Sequence, residues 1–259
     1  MGMHHGPFAA MTTPERFVEA LSAYAGVFEL GPPVADFDDL GLGSDDDGWT
    51  LAIGERDGRT YVIDTSLLLS HEADLVVALS RDLGGTVVGA GAETASGTYW
   101  FAAATDGESR RVHWNGYDSV TEPFDDGDPL PTEADAPLED LDGDGLRAAI
   151  DDLGFDILPW EEGGPWRRLR YSGETFPSVE GPFGPRLEAH MRDHAIPEGK
   201  RPKPKVVRRD GGYDIAHANS QQPGGEATSG GRGCLGGAML AMLVLALGLV
   251  ALGAAVLAG

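Results

Sequence analysis

The chain is 259 residues long, carries a formal net charge of −23 and contains one cysteine, Cys234. Residues 1–199 hold 12 basic and 39 acidic side chains (−27), whereas residues 200–259 hold 7 and 3 (+4). Phosphate contacts need clustered Lys and Arg, so this layout argues against nucleic-acid binding by the main part of the chain. A single cysteine excludes an intrachain disulfide framework. The acidic excess instead favours a cationic protein partner or a divalent metal.

The first quarter of the chain indicates a helix followed by a hairpin. Thr13 and Pro14 have the chemistry of a helix N-cap and first helical residue, and Gly26 ends the apolar periodicity. From Trp49 to Asp64 apolar and smaller residues alternate around a turn dipeptide, Asp57-Gly58, which predicts a β-hairpin.

A second helix and hairpin are predicted next. The helix runs from His71 to Leu83 behind a Ser70 cap. Residues 98–114 are rich in aromatic side chains and surround Asp106-Gly107, which predicts a hairpin turn there.

The remaining elements complete the fold prediction. Leu146 to Leu153 predicts a short helix, and Trp160 to Tyr171 predicts an edge strand whose arginines discourage further pairing. The order helix, hairpin, helix, hairpin, helix predicts an α+β fold, an antiparallel sheet of two hairpins with helices packed on one face.

An acidic stretch provides the most specific motif for metal binding. Asp140, Asp142, Asp144 and Asp151 match carboxylate positions of a twelve-residue calcium loop, so that the stretch resembles an EF-hand-type loop. Four residues depart from that pattern: Arg147 and Ala148 within the loop, the shorter Asp151 at its twelfth position and, before the loop, Pro137. The alternative is an acidic loop in which Asp144 caps the next helix.

Two histidines four residues apart offer a second metal hypothesis. His190 and His194 have the spacing that places two imidazoles on one helical face, as zinc requires. No Glu follows His190, so the metalloprotease pattern is absent, and an exposed helical turn is the simpler interpretation. The sequence contains no phosphate loop, dinucleotide fingerprint or nucleophile elbow. It indicates no organic cofactor, and calcium is the metal that its motifs favour most.

A basic segment precedes the C-terminal region. We predict a flexible linker over 196–234, first basic and then rich in Gly, Ser and Pro. Its basic part either contacts an anionic membrane surface or serves as a solvated spacer. The residues proposed for membrane-surface contact are Lys200, Arg201, Lys203, Lys205, Arg208 and Arg209.

Residues 235–258 consist only of Leu, Ala, Gly, Val and Met. At ~1.5 Å per residue the 24 residues would form a helix ~36 Å long, enough to cross a ~30 Å hydrocarbon core. Residues 1–11 lack the features of a signal peptide, and the basic residues precede the span. We therefore expect a C-terminal anchor in the cell membrane. Gly233, Gly237 and Ala241 give a small-residue spacing that would permit weak self-association.

These features together predict a tail-anchored, single-pass membrane protein. An acidic α+β domain, residues 1–195, would lie in the cytoplasm and act as a protein-interaction module, with the lipid bilayer and a cationic protein as partners. The alternative is a membrane-tethered metal-binding protein or enzyme that uses the Asp140 to Asp151 loop or His190 and His194.

Overall fold

Secondary structure is dominated by β-strands. The computed structural model describes residues 4–24, 26–45, 47–93, 98–115, 121–134, 143–156, 165–172, 179–197, 200, 205–209 and 212–216. Strands in this part of the chain are β1 His4–Ala10, β2 Phe28–Pro33, β3 Gly43–Asp45, β4 Gly48–Arg56, β5 Arg59–Asp64, β6 Thr86–Glu93, β7 Thr98–Thr105, β8 Glu108–Asn115, β9 Phe124–Gly127, β10 Trp166–Tyr171, β11 Lys205–Arg209 and β12 Gly212–Ala216. Helices are α1 Pro14–Ser22, α2 Ala73–Leu83, α3 Gly143–Asp151 and α4 Phe183–Asp193.

The first ten strands form one antiparallel sheet in the order β2-β10-β4-β5-β1-β6-β7-β8-β9, with β3 paired to β4. The chain therefore has an α+β fold with a large antiparallel sheet and few helices. Both expected hairpins are confirmed, as β4–β5 and β7–β8. Their turns place Asp57-Gly58 and Asp106-Gly107 at positive φ, the conformation for which these residue types are suited.

The N-terminal strand lies at the centre of the sheet. β1 is antiparallel to β5 on one side and to β6 on the other, so α2 crosses over between two strands that β1 separates. Cα pairing between β1 and β6 omits Gly6 and Pro7, as expected where proline has no N–H to donate. No strand was predicted here.

Helices pack on both faces of the sheet, which corrects the expectation of a single helical face. The larger core lies beneath α1 and α2, where Phe8, Leu51 and Leu79 are buried. On the opposite face α3 supplies a separate core through Ile150 packed with Phe101. The remaining residues of this second core are Ala9, Val88, Ala90, Ala103, Leu146, Ala149 and Phe155.

The expected edge strand is instead an interior strand. β10 pairs with β4 on one side and with β2 on the other, which leaves β2 and β9 at the ends of the sheet. Its three arginines do not prevent pairing, because each has a partner of opposite charge or a hydrogen-bond acceptor. Arg167 and Arg170 bind Glu15 of α1 and Asp45 of β3, and Arg168 binds the Asp39 carbonyl oxygen.

Part of the expected linker is folded. β11 and β12 form a two-stranded antiparallel sheet of their own, with Arg209 paired to Gly212. Among the described residues no helix is both long and apolar enough to cross a membrane. The apolar run 235–258 lies outside the described residues, and its membrane span stays a prediction.

Gly91 permits a close approach that should be sensitive to substitution. A Cβ at Gly91 would overlap the indole of Trp100, its cross-strand partner, whereas a Cβ at Gly85 would have its nearest neighbour, Met11 Cβ, at 3.6 Å. We expect Gly91→Ala to lower the free energy of unfolding by about 1–3 kcal/mol, as overpacking does. Urea denaturation of the full chain in mild detergent would measure this. Gly85→Ala is the matched control and should change the free energy of unfolding by less than about 0.5 kcal/mol. Equally small changes in the two variants would show that Trp100 moves aside without loss of stability.

Candidate functional sites

A small cavity of about 140 Å³ lies on the α1–α2 face of the sheet, between the start of α2, the start of α4 and strands β7 and β8. Its apolar lining includes Trp100, Trp114 and Phe124, and its polar lining includes His71 and Glu72. Cofactor and metabolite sites usually measure roughly 300–1,000 Å³. This cavity is therefore of a size for a single side chain and not for a typical cofactor.

Asp74 fixes the wall of the cavity. Its carboxylate, 7% exposed, accepts hydrogen bonds from the backbone N–H groups of Phe183 at 3.1 Å and Gly184 at 3.0 Å. These N–H groups begin α4 and have no partners within the helix, so a carboxylate at this position both caps the helix and complements its dipole. Asp74 thereby joins α2 to α4.

Arg186 lies beside the cavity on α4. Its guanidinium carbon is 5.6 Å from the centre of the Phe124 ring and 5.2 Å from that of Phe183, and it forms an ion pair with Asp126. This arrangement satisfies the cation–π geometry with both rings. The aromatic pair is consequently already engaged by a cation of the same chain.

The loop that supplies the polar side of the cavity is organised by a buried carboxylate. Asp64 is fully buried, and its carboxylate accepts hydrogen bonds from the backbone N–H groups of Ser66, Leu69 and Ser70 at 3.2, 2.7 and 3.3 Å. Burial raises the pKa of Asp64, against the opposing effect of hydrogen bonds from the backbone of Leu68, Leu69 and Ser70. A carboxylate at the end of β5 thus holds the turn that leads into α2.

His71 follows this turn and has acceptors at both ring nitrogens. Nδ1 is 2.6 Å from the Leu67 carbonyl oxygen, and Nε2 is 3.3 Å from a Glu72 carboxylate oxygen. Loss of hydration disfavours the protonated ring, but the Glu72 hydrogen bond, the charges of Glu72 and Asp64 and the Leu67 carbonyl together raise the pKa of His71. A charge on His71 is therefore stabilised in the folded protein.

A second polar group is buried on the opposite, α3 face of the sheet. The side chains of Arg111 and Glu133 are 7% and 8% exposed and form a two-pronged ion pair with N···O distances of 2.9 and 2.8 Å. Arg111 also pairs with Asp125 of β9. The two parallel hydrogen bonds compensate the guanidinium for its loss of hydration. Removing one partner would leave the other as a buried charge without compensation.

His113 extends this group. It is 1% exposed, its Nδ1 is 3.0 Å from an Asp125 carboxylate oxygen, and its buried Nε2 has no hydrogen-bond partner. The hydrogen bond from His113 and the nearby Arg111 hold the pKa of Asp125 below its usual value. An imidazole oriented by a carboxylate resembles half of an acid–base pair, but a nitrogen sealed from solvent gives no access to a substrate.

Only part of this group could have been predicted from the sequence. Alternation along β8 places Arg111 and His113 on one face, and that pattern was available from the sequence. Their partners were not, because Asp125 and Glu133 belong to an acidic stretch with many equivalent carboxylates.

The structure places His190 and His194 on α4 and directly after it. Their rings stack with centres 4.3 Å apart, while His190 Nε2 is 2.8 Å from the Glu122 carbonyl oxygen. Within the described residues no group of three or more His, Cys, Asp or Glu side chains is arranged to hold a metal ion. The pair thus links α4 to the segment before β9.

The predicted calcium loop coincides in part with a helix. α3 begins at Gly143, earlier than expected, so Asp144 lies in its first turn and the exposed Asp151 in its last. Asp140 and Asp142 lie outside the described residues. A helical backbone over 143–151 differs from the open loop that wraps a calcium ion, and binding at these residues stays a prediction.

The structure describes four of the six basic residues predicted to contact a membrane surface. Lys205, Arg208 and Arg209 lie on β11, and Lys200 precedes it. Arg201 and Lys203 lie outside the described residues.

Comparison of the chain with protein-family models, with curated proteins and with solved structures found no match.

The raised pKa of His71 predicts a pH dependence of stability. The stabilisation from its protonated form is complete below the unfolded pKa of about 6.5 and is lost as the pH rises through the higher folded value. Because 41% of the side chain is exposed, solvent screening keeps the effect to a shift of about 1 °C in Tm. Melting curves between pH 6 and 8.5 should show a steeper fall for the native chain than for His71→Gln. Parallel curves would contradict this assignment.

Removal of Arg111 should lower the free energy of unfolding, because its buried partner Glu133 would lose its cation. In Arg111→Met the Glu133 carboxylate stays buried without its cation, and we expect a loss of about 3–5 kcal/mol in unfolding free energy. Adding Glu133→Gln to that variant should restore much of the loss, since the amide carries no charge. Urea denaturation measures both. Arg192→Met, which removes the exposed pair with Asp193, is the control and should cost less than about 1 kcal/mol. If the double variant does not regain stability, the loss of unfolding free energy comes from the packing of the Arg111 side chain and not from an unpaired charge.

Proposed function

We propose that the protein is a tail-anchored membrane protein whose acidic domain binds a cationic protein partner. The anchor is the apolar run 235–258, and the domain would lie in the cytoplasm, on the side of the membrane where the preceding basic residues are expected. The acidic domain is the part available for recognition, because the run itself contains no polar group.

This proposal is supported by the observation that arginines of the domain form ion pairs within the chain itself. Seven arginines of its described part form ion pairs with carboxylates of the same chain. They are Arg56, Arg81, Arg111, Arg167, Arg170, Arg186 and Arg192. With 12 basic residues set against 39 acidic ones in residues 1–199, this pairing leaves a large carboxylate excess. That excess supports steering of a positively charged partner.

Residues 36–47 hold a dense group of these carboxylates. Asp36, Asp38, Asp39 and Asp47 are exposed there. The segment is attached to a small apolar cluster, in which Leu40 is buried and Phe37 packs edge-on against Trp166 at 5.7 Å. A rigid support lowers the entropy lost when a partner orders the surface, which favours a binding role over a purely solubilising one.

A site-specific photo-crosslink in native membranes tests the proposal. A photoreactive residue at the exposed position Ala35 should yield a crosslinked protein when the full chain is expressed in its source cells. Asp38→Asn, Asp39→Asn and Asp47→Asn together should reduce the yield at least tenfold, because three charges near the probe are removed without change of shape. Raising NaCl from 50 to 500 mM should have a similar effect.

The matched control neutralises three exposed acids elsewhere, Glu55→Gln, Asp57→Asn and Glu108→Gln, and should leave the yield unchanged. Equal loss in both variants would point to net charge alone. Absence of a charge-sensitive product would contradict the binding role. Digestion of the domain by protease added to intact cells would contradict the cytoplasmic orientation.

A further inference from the structure

The hairpin β11–β12 divides its residues between two unlike faces. Directly paired residues of an antiparallel ladder share a face, and residues two apart along a strand do so as well. The register places Val206 with Ile215 and Arg208 with Tyr213, so these four residues share one face. The other face takes Lys205, Val207, Arg209, Gly212, Asp214 and Ala216.

The first face has the composition of a membrane interface. It combines two β-branched aliphatic residues, a tyrosine and an arginine, and by register Asp214 belongs to the other face. Tyrosine is enriched at the level of lipid headgroups, and arginine binds phosphate with several donors at once. Residues 200–209 add six cations and no acid. An anionic lipid surface complements both features.

A hairpin of two strands is barely stable in water without a surface to pack against. β11 and β12 do not join the ten-stranded sheet. Only 18 residues, 217–234, separate the hairpin from the apolar run, a contour length of at most about 60 Å. Once the run is inserted, this tether would keep the hairpin at a high effective concentration near the bilayer.

We propose that the face formed by Val206, Arg208, Tyr213 and Ile215 lies on anionic phospholipid headgroups. This inference rests on the proposed membrane anchor and adds a second, lipid-selective contact to it. The six cations of residues 200–209 hold the hairpin to the charged surface, and the aliphatic pair enters the boundary between headgroups and acyl chains.

Two adjacent valines provide a matched test. In a Cys234→Ser background, Val206→Cys and Val207→Cys place the same environment-sensitive fluorophore on opposite faces of the hairpin. The full chain is reconstituted into vesicles of phosphatidylcholine alone or with 30% phosphatidylglycerol. We expect a blue shift, and quenching by spin-labelled lipid, for the label at 206 in the anionic vesicles. The label at 207 should show neither, and both labels should be unshifted in phosphatidylcholine.

Charge neutralisation supplies an independent measurement. Lys205→Gln, Arg208→Gln and Arg209→Gln together should weaken the lipid contact about a hundredfold and abolish the shift at 206. The variant should still float with the vesicles. Equal behaviour of the two labels, or a shift that appears only when membrane proteins are present, would overturn the lipid contact alone. Failure of the native chain to float with either vesicle would overturn the anchor and the contact together.

Discussion

The fold depends on one non-local constraint, the insertion of β1 between β5 and β6. Without it the ten-stranded sheet would separate into two parts, because β1 is the strand through which β5 and β6 are connected in the sheet. The constraint also positions α2, which spans the inserted strand and packs on β6 and β7. Gly6 and Gly89 admit the close approach of the Ser70 region to the sheet, since a Cβ at Gly6 would overlap the Ser70 side chain.

Both candidate sites are consequences of this arrangement. On one face Asp64 ends β5 and organises the turn before α2, while Asp74 in the first turn of α2 captures the start of α4. On the other face β8 and β9 bring Arg111 and Asp125 together, and Glu133 completes the pair from the segment that follows β9. In both places buried ionisable groups join elements that are distant in the sequence.

The sequence predicted the elements whose signals are local. Both hairpins were correct because their turns contain Asp-Gly dipeptides flanked by alternating residues, and α1 begins where Thr13 and Pro14 indicate. Of the elements missed, the hairpin β11–β12 lies in a segment whose Pro and Gly content indicated a linker, whereas β1 and β10 are defined by distant partners. β1 contains Gly6 and Pro7, which argue against a central strand, and β10 carries arginines that suggested an edge. The pairing of Arg111 with Glu133 was equally hidden, because one carboxylate among 42 acidic residues cannot be selected by spacing.

The separation of charge along the chain gives the basic segment two competing surfaces in the proposed arrangement. Its six cations at residues 200–209 can pair with carboxylates of the chain's own acidic domain or with anionic lipid. Both attractions are screened over about 8 Å at physiological salt, so contact distance and local charge density decide between them. Several carboxylates of the domain already hold arginines. An anionic leaflet presents a continuous layer of charge and also accepts the apolar pair Val206 and Ile215, which the carboxylates of the domain cannot do. The lipid surface is therefore favoured, and a segment bound there would leave the carboxylates of the domain free for a partner.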